Sequence, residues 1–535
     1  MRNTLARLLP LLLCAGAHAA PGPAQTNAWR ESAMARAQLH LERAQLAERK
    51  FTPETTPNLE VASALHAYHA ATNAVTALPR RGIILDAYVA PNDNAPQPFF
   101  RFLPSAWTPE KELPLLIYLH GFYPYDLLYP PGIPAGFTNI AERAGFAVAV
   151  PFGRSNTDFQ GVGEQDVLHV LDLMRARYNI DTNRVVLSGY SMGGMGAWQI
   201  ASRWPGRFCG LLAIGNRGDF YTWHNVKPED LPPWQRRLID TQFAAKFAHR
   251  LTHMPILAIH GADDTVMPAR EAHAIFDLVK NNPNAQLTLL PGTSHQDLND
   301  QFLDPEVHAW IENQFKRSTS NRELSTSKEI SGQVNHLEVE TSLLNLEPLR
   351  PGATGSRTQD MFLDPFVIVG DETSQPAVQA FLRWRAFTQS IPRLAPESAL
   401  TPEHLNVFSL LLPATPEDSP LVARLLEHLG ATATPDTLTI AGRAFPRKDR
   451  GFWISAPSPD NPELTWVANF GVAWGRFLSP NHYYDRIPDF ICYTAETGAF
   501  DLPIPEGVAF LNADGKLEWS DPPATPFSKE PSFGY

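Results

Sequence analysis

The sequence predicts a doubly wound α/β fold with a mostly parallel sheet, followed by a second, smaller α/β domain. Between residues 82 and 316, short apolar runs alternate with stretches of helical periodicity, and this alternation is typical of a parallel sheet covered by helices. One apolar run ends in a glycine-rich turn that leads directly into a helix. A Ser-, Thr- and Lys-rich stretch at 317–333 lacks apolar periodicity, so it predicts a linker between the two domains.

Length and charge narrow the class of protein further. A chain of 535 residues is too long for one core, and its 44% hydrophobic and 19% charged residues are typical of a globular protein. The net charge of −12 argues against nucleic acids and anionic membranes as partners. After the N-terminal segment, no stretch is long and apolar enough to predict a membrane span.

The N-terminus has the pattern of a signal peptide over residues 1–19. Positive charge precedes an apolar stretch at 8–15, and Ala-His-Ala at 17–19 matches a cleavage site. We expect cleavage after Ala19 and a secreted or periplasmic protein. A lipid anchor on Cys14 is the alternative, but the preceding leucine is bulky for such a site. Cleavage would leave two cysteines in different domains, so free thiols are expected at both.

Residues 20–81 predict a helical segment, with two helices separated near Pro53. His66 and His69 lie three residues apart there, a spacing that fits either a metal pair or a solvated helix face. Because no acidic or thiol ligand completes a site, the solvated face is the preferred interpretation. No metal or other cofactor is expected anywhere in the chain.

The first domain, 82–316, opens with a predicted hairpin and continues as strands and helices. The predicted strands are 83–89, 98–103, 113–119, 146–150, 185–187, 211–214, 256–259 and 286–290, with helices near 139–144, 164–177 and 305–315. The second domain, 334–535, has predicted strands around 337–341 and at 365–369, 407–412, 438–440, 453–456 and 490–493, with helices at 378–389 and 421–429. Its aromatic residues Trp466, Phe470, Trp474, Phe477, Tyr483 and Tyr484 fit a sugar-stacking surface or, more commonly, a core.

Ser191 is the candidate nucleophile. It is the central residue of Gly189-Tyr190-Ser191-Met192-Gly193, a G-x-S-x-G sequence between a strand and a helix. In that context the turn is tight, and the serine oxygen is held out at the C-terminal edge of the sheet. The two glycines avoid Cβ clashes in the turn. A glycine-rich turn without function is the alternative that the flanking strand and helix disfavour.

A nucleophilic serine needs a base, and the base needs an acid that fixes its tautomer. Such acids and bases follow the serine in chain order and lie at the ends of later strands. Asp264 and His295 meet both conditions. Asp263 is the competing acid, and Asp219, after the preceding strand, is a weaker candidate. An exposed loop histidine is the alternative for His295.

Two backbone amides are expected to form an oxyanion hole, which stabilises the negative oxygen of a tetrahedral intermediate. Met192 follows the nucleophile and supplies the first amide. Phe122 follows an earlier strand and supplies the second, with Gly121 allowing close approach. His120 is expected to orient this loop, and His260, which also precedes a glycine at a strand end, is interpreted as structural.

Four segments carry a family resemblance: RYNIDTNRV at 177–185, the GYSMGGMGAW turn, WPGRF at 204–208 and HGADDTVMP at 260–268. Together they resemble bacterial α/β-hydrolases of the prolyl oligopeptidase-like (S9-type) and feruloyl-esterase-like groups. The resemblance covers about residues 82–316 and implies that the acid is Asp264. The second domain resembles a region that follows the hydrolase in some such proteins, most clearly at 400–406, and the resemblance implies no role for it.

One departure from the family affects the expected substrate. True prolyl oligopeptidases gate their sites with a β-propeller, and the stretch from 20 to about 110 is too short for one. An insertion at 220–250 could instead act as a lid or acyl-pocket wall, or be a surface excursion. We expect an exported serine hydrolase that cleaves carboxylic esters, including carbohydrate-linked ones, through an acyl-enzyme. A serine peptidase and an inactive binding protein are the alternatives.

Overall fold

The computed structural model describes residues 23–50, 81–123, 130–316, 356–475, 478–479, 482–497 and 502–520. The predicted signal peptide, the linker at 317–333, the strand near 337–341, His66, His69 and Phe477 lie outside these ranges. Among the helices of the described ranges, none combines the length and apolarity needed to cross a bilayer. We refer to the described residues up to 316 as the first unit and to those from 356 onward as the second unit.

The first unit is built on an eight-stranded sheet with the order β1-β2-β4-β3-β5-β6-β7-β8. The first two strands are antiparallel to their neighbours and the remaining six run parallel, which confirms the predicted fold class. The strands are β1 Gly82–Val89, β2 Pro96–Leu103, β3 Leu113–Leu119, β4 Ala147–Pro151, β5 Ile180–Tyr190, β6 Gly210–Ile214, β7 Ile256–Gly261 and β8 Ala285–Leu290.

Helices cover both faces of this sheet and leave its central strands fully buried. They are α1 Pro23–Lys50, α2 Ala135–Ala144, α3 Val162–Tyr178, α4 Met192–Arg203, α5 Phe220–His224, α6 Pro233–Asp240, α7 Ala269–Asp277 and α8 at 305–316. Parallel strands buried on both faces read as continuous apolar runs, which explains why β3, β4 and β6 are recognisable from sequence.

Helix α1 packs on β1 and β2 and is fastened by a buried acid. Asp86 on β1 is fully buried, accepts a hydrogen bond from Ser32 of α1, and lies 3.2 Å from Arg101 Nε. Burial by itself would raise the pKa of Asp86, but Arg36, Arg177 and Arg101 together hold it well below its usual range. The N-terminal helix therefore takes part in a buried polar network of the first unit.

The second unit has an eight-stranded mixed sheet with the order β10-β9-β11-β16-β15-β17-β18-β19, and a small sheet β12-β13-β14. The strands are β9 Phe366–Val369, β10 Leu394–Ala395, β11 Ser409–Leu412, β12 Thr432–Ala433, β13 Thr437–Ile440, β14 Arg443–Pro446, β15 Gly451–Pro457, β16 Thr465–Gly471, β17 Phe490–Thr497, β18 Pro503–Leu511 and β19 Leu517–Ser520. The helices are α9 Arg357–Met361, α10 Gln375–Thr388, α11 Pro402–Leu405 and α12 Pro420–His428.

The aromatic residues of the second unit form its core. Trp466, Phe470, Trp474 and Tyr484 are each no more than 7% exposed, and Tyr483 packs, partly buried, against the cluster that contains Trp474 and Tyr484. These side chains are therefore not available as a sugar-stacking surface. Cys209 and Cys492, the two cysteines within the described ranges, are both free.

The insertion at 220–250 is an interface element between the two units. Its side chains Phe220, Leu231, Trp234, Leu238 and Ile239 are buried in one hydrophobic cluster that also contains Phe362, Trp384 and Tyr484 of the second unit. The sequence alternatives, a lid and a plain surface excursion, did not include this arrangement. Because the cluster contains buried residues of both units, each unit completes part of the other's core.

Candidate active site

Ser191 occupies a strained turn between β5 and α4. Its backbone φ of 57° and ψ of −119° lie outside the regions that ordinary residues favour. A Cβ at position 189 would lie 1.9 Å from the Gly193 carbonyl oxygen, and one at 193 would lie 2.0 Å from the Leu119 carbonyl oxygen. Only glycine fits at both positions, so the turn can close tightly and present the serine side chain.

Three polar side chains form a continuous hydrogen-bonded chain at this edge of the sheet. His295 Nε2 lies 2.8 Å from Ser191 Oγ, and His295 Nδ1 lies 2.6 Å from Asp264 Oδ2. All three residues are less than 10% exposed. The structure thus brings together the predicted nucleophile, base and acid in the order that nucleophilic catalysis requires.

The Asp264 carboxylate accepts hydrogen bonds from the surrounding backbone. Its Oδ1 accepts hydrogen bonds from the Val266 and Met267 amides at 2.9 and 2.7 Å. Burial opposes the charge, but the hydrogen bonds from His295 and from the Met267 amide outweigh it, and the pKa of Asp264 is lowered. Asp264 is thus held as the anion that its place beside His295 requires.

The competing acids are placed elsewhere. Asp263 is exposed, and its neighbour Asp264 holds the position beside His295 Nδ1. Asp219 caps α5 by accepting hydrogen bonds from the Tyr221 and Thr222 amides. Both alternatives therefore lie outside the hydrogen-bonded chain that ends at Ser191.

His260 lies beneath the acid and is held neutral. Its Nδ1 accepts the Asn216 amide at 2.8 Å, so the proton is on Nε2, which donates to the Met267 carbonyl oxygen at 2.7 Å. Burial lowers its pKa. This side chain fixes the backbone around Asp264, in agreement with its structural interpretation from sequence.

The segments that carry the two predicted oxyanion amides lie beside the nucleophile. Met192 is the first residue of α4, and the amides of a first helical turn have no acceptor within the helix. A Cβ at Gly121 would lie 3.4 Å from the Ser191 Cβ, which places the start of the Phe122 loop against the serine. Within the described ranges, the Phe122 amide has no acceptor, whereas the next amide, that of Tyr123, donates to Asn156 Oδ1 at 3.1 Å.

His120 orients the Phe122 loop. Its Nδ1 and Nε2 lie 2.8 Å from the Gly121 carbonyl oxygen and 3.0 Å from the Phe152 carbonyl oxygen. The ring is buried, and burial lowers its pKa. It is therefore engaged with the backbone of two loops and is not placed to act as the base.

Comparisons with known proteins support this description of the first unit. Residues 154–318 match the model of the prolyl oligopeptidase family, Peptidase S9. A bifunctional acetylxylan esterase/xylanase, XynS20E, from Neocallimastix patriciarum is 39% identical over 106 residues, which is 19% of this chain and 15% of that protein. The uncharacterized protein YfhR of Escherichia coli K12 is 25% identical over 147 residues, which is 27% of this chain and 50% of that protein.

The first unit has an α/β-hydrolase fold and resembles the serine hydrolases. The family match at 154–318 and the serine turn between β5 and α4 both support this resemblance. The chain spans half or less of the length of the curated relatives it matches. Among solved structures, a thermostable esterase is 19% identical with a TM-score of 0.34, and the match covers 43% of this chain and 62% of that one. A truncated carbohydrate esterase from gut microbiota is 17% identical with a TM-score of 0.34, covering 42% of this chain and 91% of that one.

Two contacts around the hydrolase site were not predicted from sequence. The Tyr190 hydroxyl donates to the His295 carbonyl oxygen at 2.9 Å and supports the histidine loop. Asn156 binds the backbone of Tyr123 beside Phe122. Tyr190 occupies a variable position of the G-x-S-x-G pattern and Asn156 lies in a stretch rich in turn-forming residues, so neither carries a signal that specifies its partner.

Proposed function

We propose that this protein is an exported serine hydrolase that cleaves carboxylic esters through a covalent acyl-enzyme. The observation that carries the proposal is the Ser191–His295–Asp264 chain, with its distances of 2.8 and 2.6 Å. A hydroxyl becomes a useful nucleophile at neutral pH only when a base takes its proton as it attacks. His295 Nε2 is within reach of that proton.

In the proposed first half-reaction, Ser191 Oγ attacks the ester carbonyl carbon while His295 Nε2 accepts the hydroxyl proton. Asp264 holds the imidazole in the productive tautomer and stabilises its positive charge. The carbonyl oxygen becomes an oxyanion that the Phe122 and Met192 amides bind. His295 then protonates the departing alkoxide, and the C–O bond breaks to leave an acyl group on Ser191.

In the second half-reaction, water takes the place of the alcohol. His295 removes a proton from water as the water oxygen attacks the acyl carbon, and the same two amides bind the second oxyanion. The bond to Ser191 Oγ breaks, His295 returns the proton to the serine, and the carboxylic acid leaves. Both half-reactions need only this chain's own residues and water.

Three considerations support an ester as the substrate. An alkoxide leaves with less help from the general acid than an amine does. Within the described ranges, the strands outside the first sheet form one mixed sheet and one three-stranded sheet, which is unlike the radial blades of a propeller. A relative that is 39% identical over the matched stretch is named as an acetylxylan esterase. We therefore propose small acyl groups on carbohydrates as the substrate class.

A serine peptidase is the second candidate, because the matching family at 154–318 is that of the prolyl oligopeptidases. A substrate panel separates the two. The purified protein is assayed with p-nitrophenyl acetate, methyl ferulate, acetylated xylan and Xaa-Pro p-nitroanilides, and kcat/KM is compared. A kcat/KM for any Xaa-Pro substrate above that for every ester would make the peptidase the better proposal.

The same assay tests the nucleophile. Ser191→Ala is expected to lower kcat by at least about 10³-fold and to abolish covalent labelling by a fluorophosphonate. Ser188→Ala, three residues earlier on β5, is the matched control and should remain labelled. Labelling that persists in Ser191→Ala would remove Ser191 as the nucleophile.

Export rests on the segment at 1–19 alone and is tested independently of catalysis. We propose that the segment is removed after Ala19 in the periplasm or during secretion. N-terminal sequencing of the protein recovered from the periplasm or the medium should begin at Ala20. Recovery of the full chain from the cytoplasm would contradict export.

A further inference from the structure

The loop between β4 and α3, residues 153–161, is held in an unusual backbone conformation. Four of its non-glycine residues have positive φ, between 53° and 71°. These are Arg154, Ser155, Asp158 and Phe159. Side chains other than glycine disfavour this region, so the loop keeps this shape only where its surroundings hold it. Contacts to the first and the second unit hold it.

The middle of the 153–161 loop is bound to the oxyanion loop, which we define as residues 120–123. Asn156 Oδ1 accepts the Tyr123 amide at 3.1 Å, and Asn156 Nδ2 donates to the Tyr123 carbonyl oxygen at 2.6 Å. The Phe159 ring contacts the His120 ring, with centroids 5.2 Å apart. Asn156 therefore hydrogen-bonds to both the backbone N–H and the backbone carbonyl of Tyr123, the residue directly after Phe122.

The start of the loop is bound to the second unit. Arg154 is 2% exposed; its Nη1 donates to Ser390 Oγ at 2.9 Å and to Asp93 Oδ2 at 2.7 Å. Asp93 Oδ2 also accepts the Trp384 indole N–H at 3.1 Å. Ser390 and Trp384 belong to the second unit, and neither is exposed. A buried guanidinium held by partners from both units fixes the start of the loop.

We propose that the second unit positions the oxyanion hole of the hydrolase, with Ser390, Arg154 and Asn156 as the connecting residues. The proposal rests on the esterase function proposed above, because it assigns the Phe122 amide to the oxyanion. Asn156 and Arg154 are positioning residues, since they act through the backbone of Tyr123 and the loop. This gives the second unit a task that is distinct from substrate binding.

The physical argument is one of geometry. Asn156 engages the Tyr123 amide, whereas the adjacent Phe122 amide has no acceptor within the described ranges. An oxyanion donor acts only where its N–H lies about 2.7–3.1 Å from the developing charge. If the 153–161 loop relaxes, the Asn156 side chain moves and the Phe122 N–H no longer points at the oxyanion. Ground-state substrate binding depends much less on this amide, so kcat should respond more than KM.

The test uses the full-length protein with p-nitrophenyl acetate and, separately, an aryl trifluoromethyl ketone. The ketone forms a tetrahedral adduct with a nucleophilic serine, and the oxyanion of that adduct occupies the oxyanion hole. The variants are Asn156→Ala, Asn156→Asp, Ser390→Ala and Ser390→Thr. Gln165→Ala is the matched control, because Gln165 Nε2 donates to the Leu363 carbonyl oxygen of the second unit at 2.8 Å, while the backbone bond from Gln165 to Gly161 of the loop is kept in the variant. Kinetics are measured well below each variant's Tm.

Asn156→Ala is expected to lower kcat by about 10- to 100-fold with little change in KM, and to weaken ketone binding by a similar factor. Ser390→Ala should change both quantities in the same direction by about threefold or more, Ser390→Thr should restore them, and Gln165→Ala should change neither. Asn156→Asp, which keeps the acceptor for the Tyr123 amide, should lie between Asn156→Ala and the unmodified protein.

Unchanged kcat and ketone affinity in folded Asn156→Ala or Asn156→Asp would overturn the proposal, as would an equal loss in Gln165→Ala. Unchanged values in folded Ser390→Ala would remove the second unit from it. Should the unmodified protein cleave no ester, the ketone affinities and the fluorophosphonate labelling rates still compare the variants. Failure of the esterase proposal is thereby distinguished from failure of this one.

Discussion

The two adjacent aspartates at 263 and 264 show how much a single residue position decides at this site. Both follow β7 and both are carboxylates, so the sequence allows either to be the acid. In the structure the Asp264 side chain is buried with three hydrogen-bond partners, the Val266 and Met267 amides and His295, whereas Asp263 is exposed. Backbone direction at the strand end, which sequence patterns do not encode, selects between them.

Exchange of each carboxylate for an amide separates the two aspartates by activity. Asp264→Asn should lower kcat by about 10³- to 10⁴-fold, because an amide favours the wrong histidine tautomer and leaves the imidazolium without its counter-charge. Asp263→Asn, the matched control, should retain most of the activity. The measurement is kcat on p-nitrophenyl acetate at pH 8. A larger loss in Asp263→Asn would contradict the observed hydrogen bonding.

A second carboxyl group, that of Glu271, allows a test of how the protein's stability depends on pH. Glu271 on α7 is buried, and burial raises its pKa to about 7, against the opposing effects of Arg270 and Arg217. The folded protein therefore binds this proton more tightly than the unfolded chain does. Stability from this group is fully present below pH 4.5, the unfolded pKa, and is lost as pH rises through about 7.

Glu271→Gln should accordingly stabilise the protein at pH 8 by about 1–2 kcal/mol, because the buried charge is removed. At pH 5 the gain should be small. Thermal unfolding of the variant and of Glu306→Gln, an exposed glutamate control, measures both. A gain that is equal at the two pH values would show that the effect is not due to ionisation.

At the scale of single elements, a strand or helix can be predicted when its amino-acid composition shows that it is buried. Strands β3 and β6 are buried along their whole length and are recognisable from sequence. Strand β18 begins Pro-Ile-Pro, and prolines argue against a strand; it pairs with β17 through register shifts at that end. Strand β16 was identified in the sequence only as part of an aromatic cluster, although its antiparallel partner β15 directly precedes it; its parallel partner β11 is distant in the chain.

The element whose surroundings were least predictable is α6, within the insertion at 220–250. Its apolar face packs on residues more than 100 positions away, and no local pattern specifies such a partner. For the active site the opposite holds: chain order and strand ends predicted Ser191, Asp264 and His295, because the fold places the ends of parallel strands at one edge. The supporting contacts of Asn156 and Tyr190 depend on loop conformation and were not predictable.

Truncation of Trp234 on α6 tests the interface directly. Trp234 is 1% exposed within the cluster shared by the two units. Trp234→Ala should therefore lower the free energy of unfolding by about 3–5 kcal/mol, with KM for a small ester unchanged. Trp234→Phe, which keeps an aromatic ring, should cost less. A raised KM with stability intact would instead indicate a lid over Ser191.

At the scale of the whole molecule, the two units share apolar and polar contacts although the chain between them reads as a linker. The shared cluster joins α5 and α6 to α10, and buried hydrogen bonds connect Asn92 and Gln97 to Phe362 and Ser390. Cutting the connecting chain would leave these contacts in place. The predicted linker thus leads us to expect cleavage of the chain between the units, and the observed interface leads us to expect that the two units then stay together.

Limited proteolysis should cut first within 317–333, where apolar residues are few. The two fragments should then remain associated under native conditions, because separation would expose the shared cluster to water. Size-exclusion chromatography of the nicked protein, with denaturing electrophoresis of the same peak, measures this. Elution of two separate fragments would show that the interface contributes little, and first cleavage elsewhere would refute the linker assignment.

The buried Arg154 between Asp93 and Ser390 has a consequence for how such a chain can diverge. A descendant that lost the second unit would keep both charges of the Arg154–Asp93 pair but lose Ser390 and Trp384. Replacing only one of the two charges would leave the other unpaired, which is costly while it stays buried. Positions 93 and 154 should therefore be replaced together in relatives made of a single unit. In lineages that retain both units, we expect the two charges and the serine to be inherited as a set.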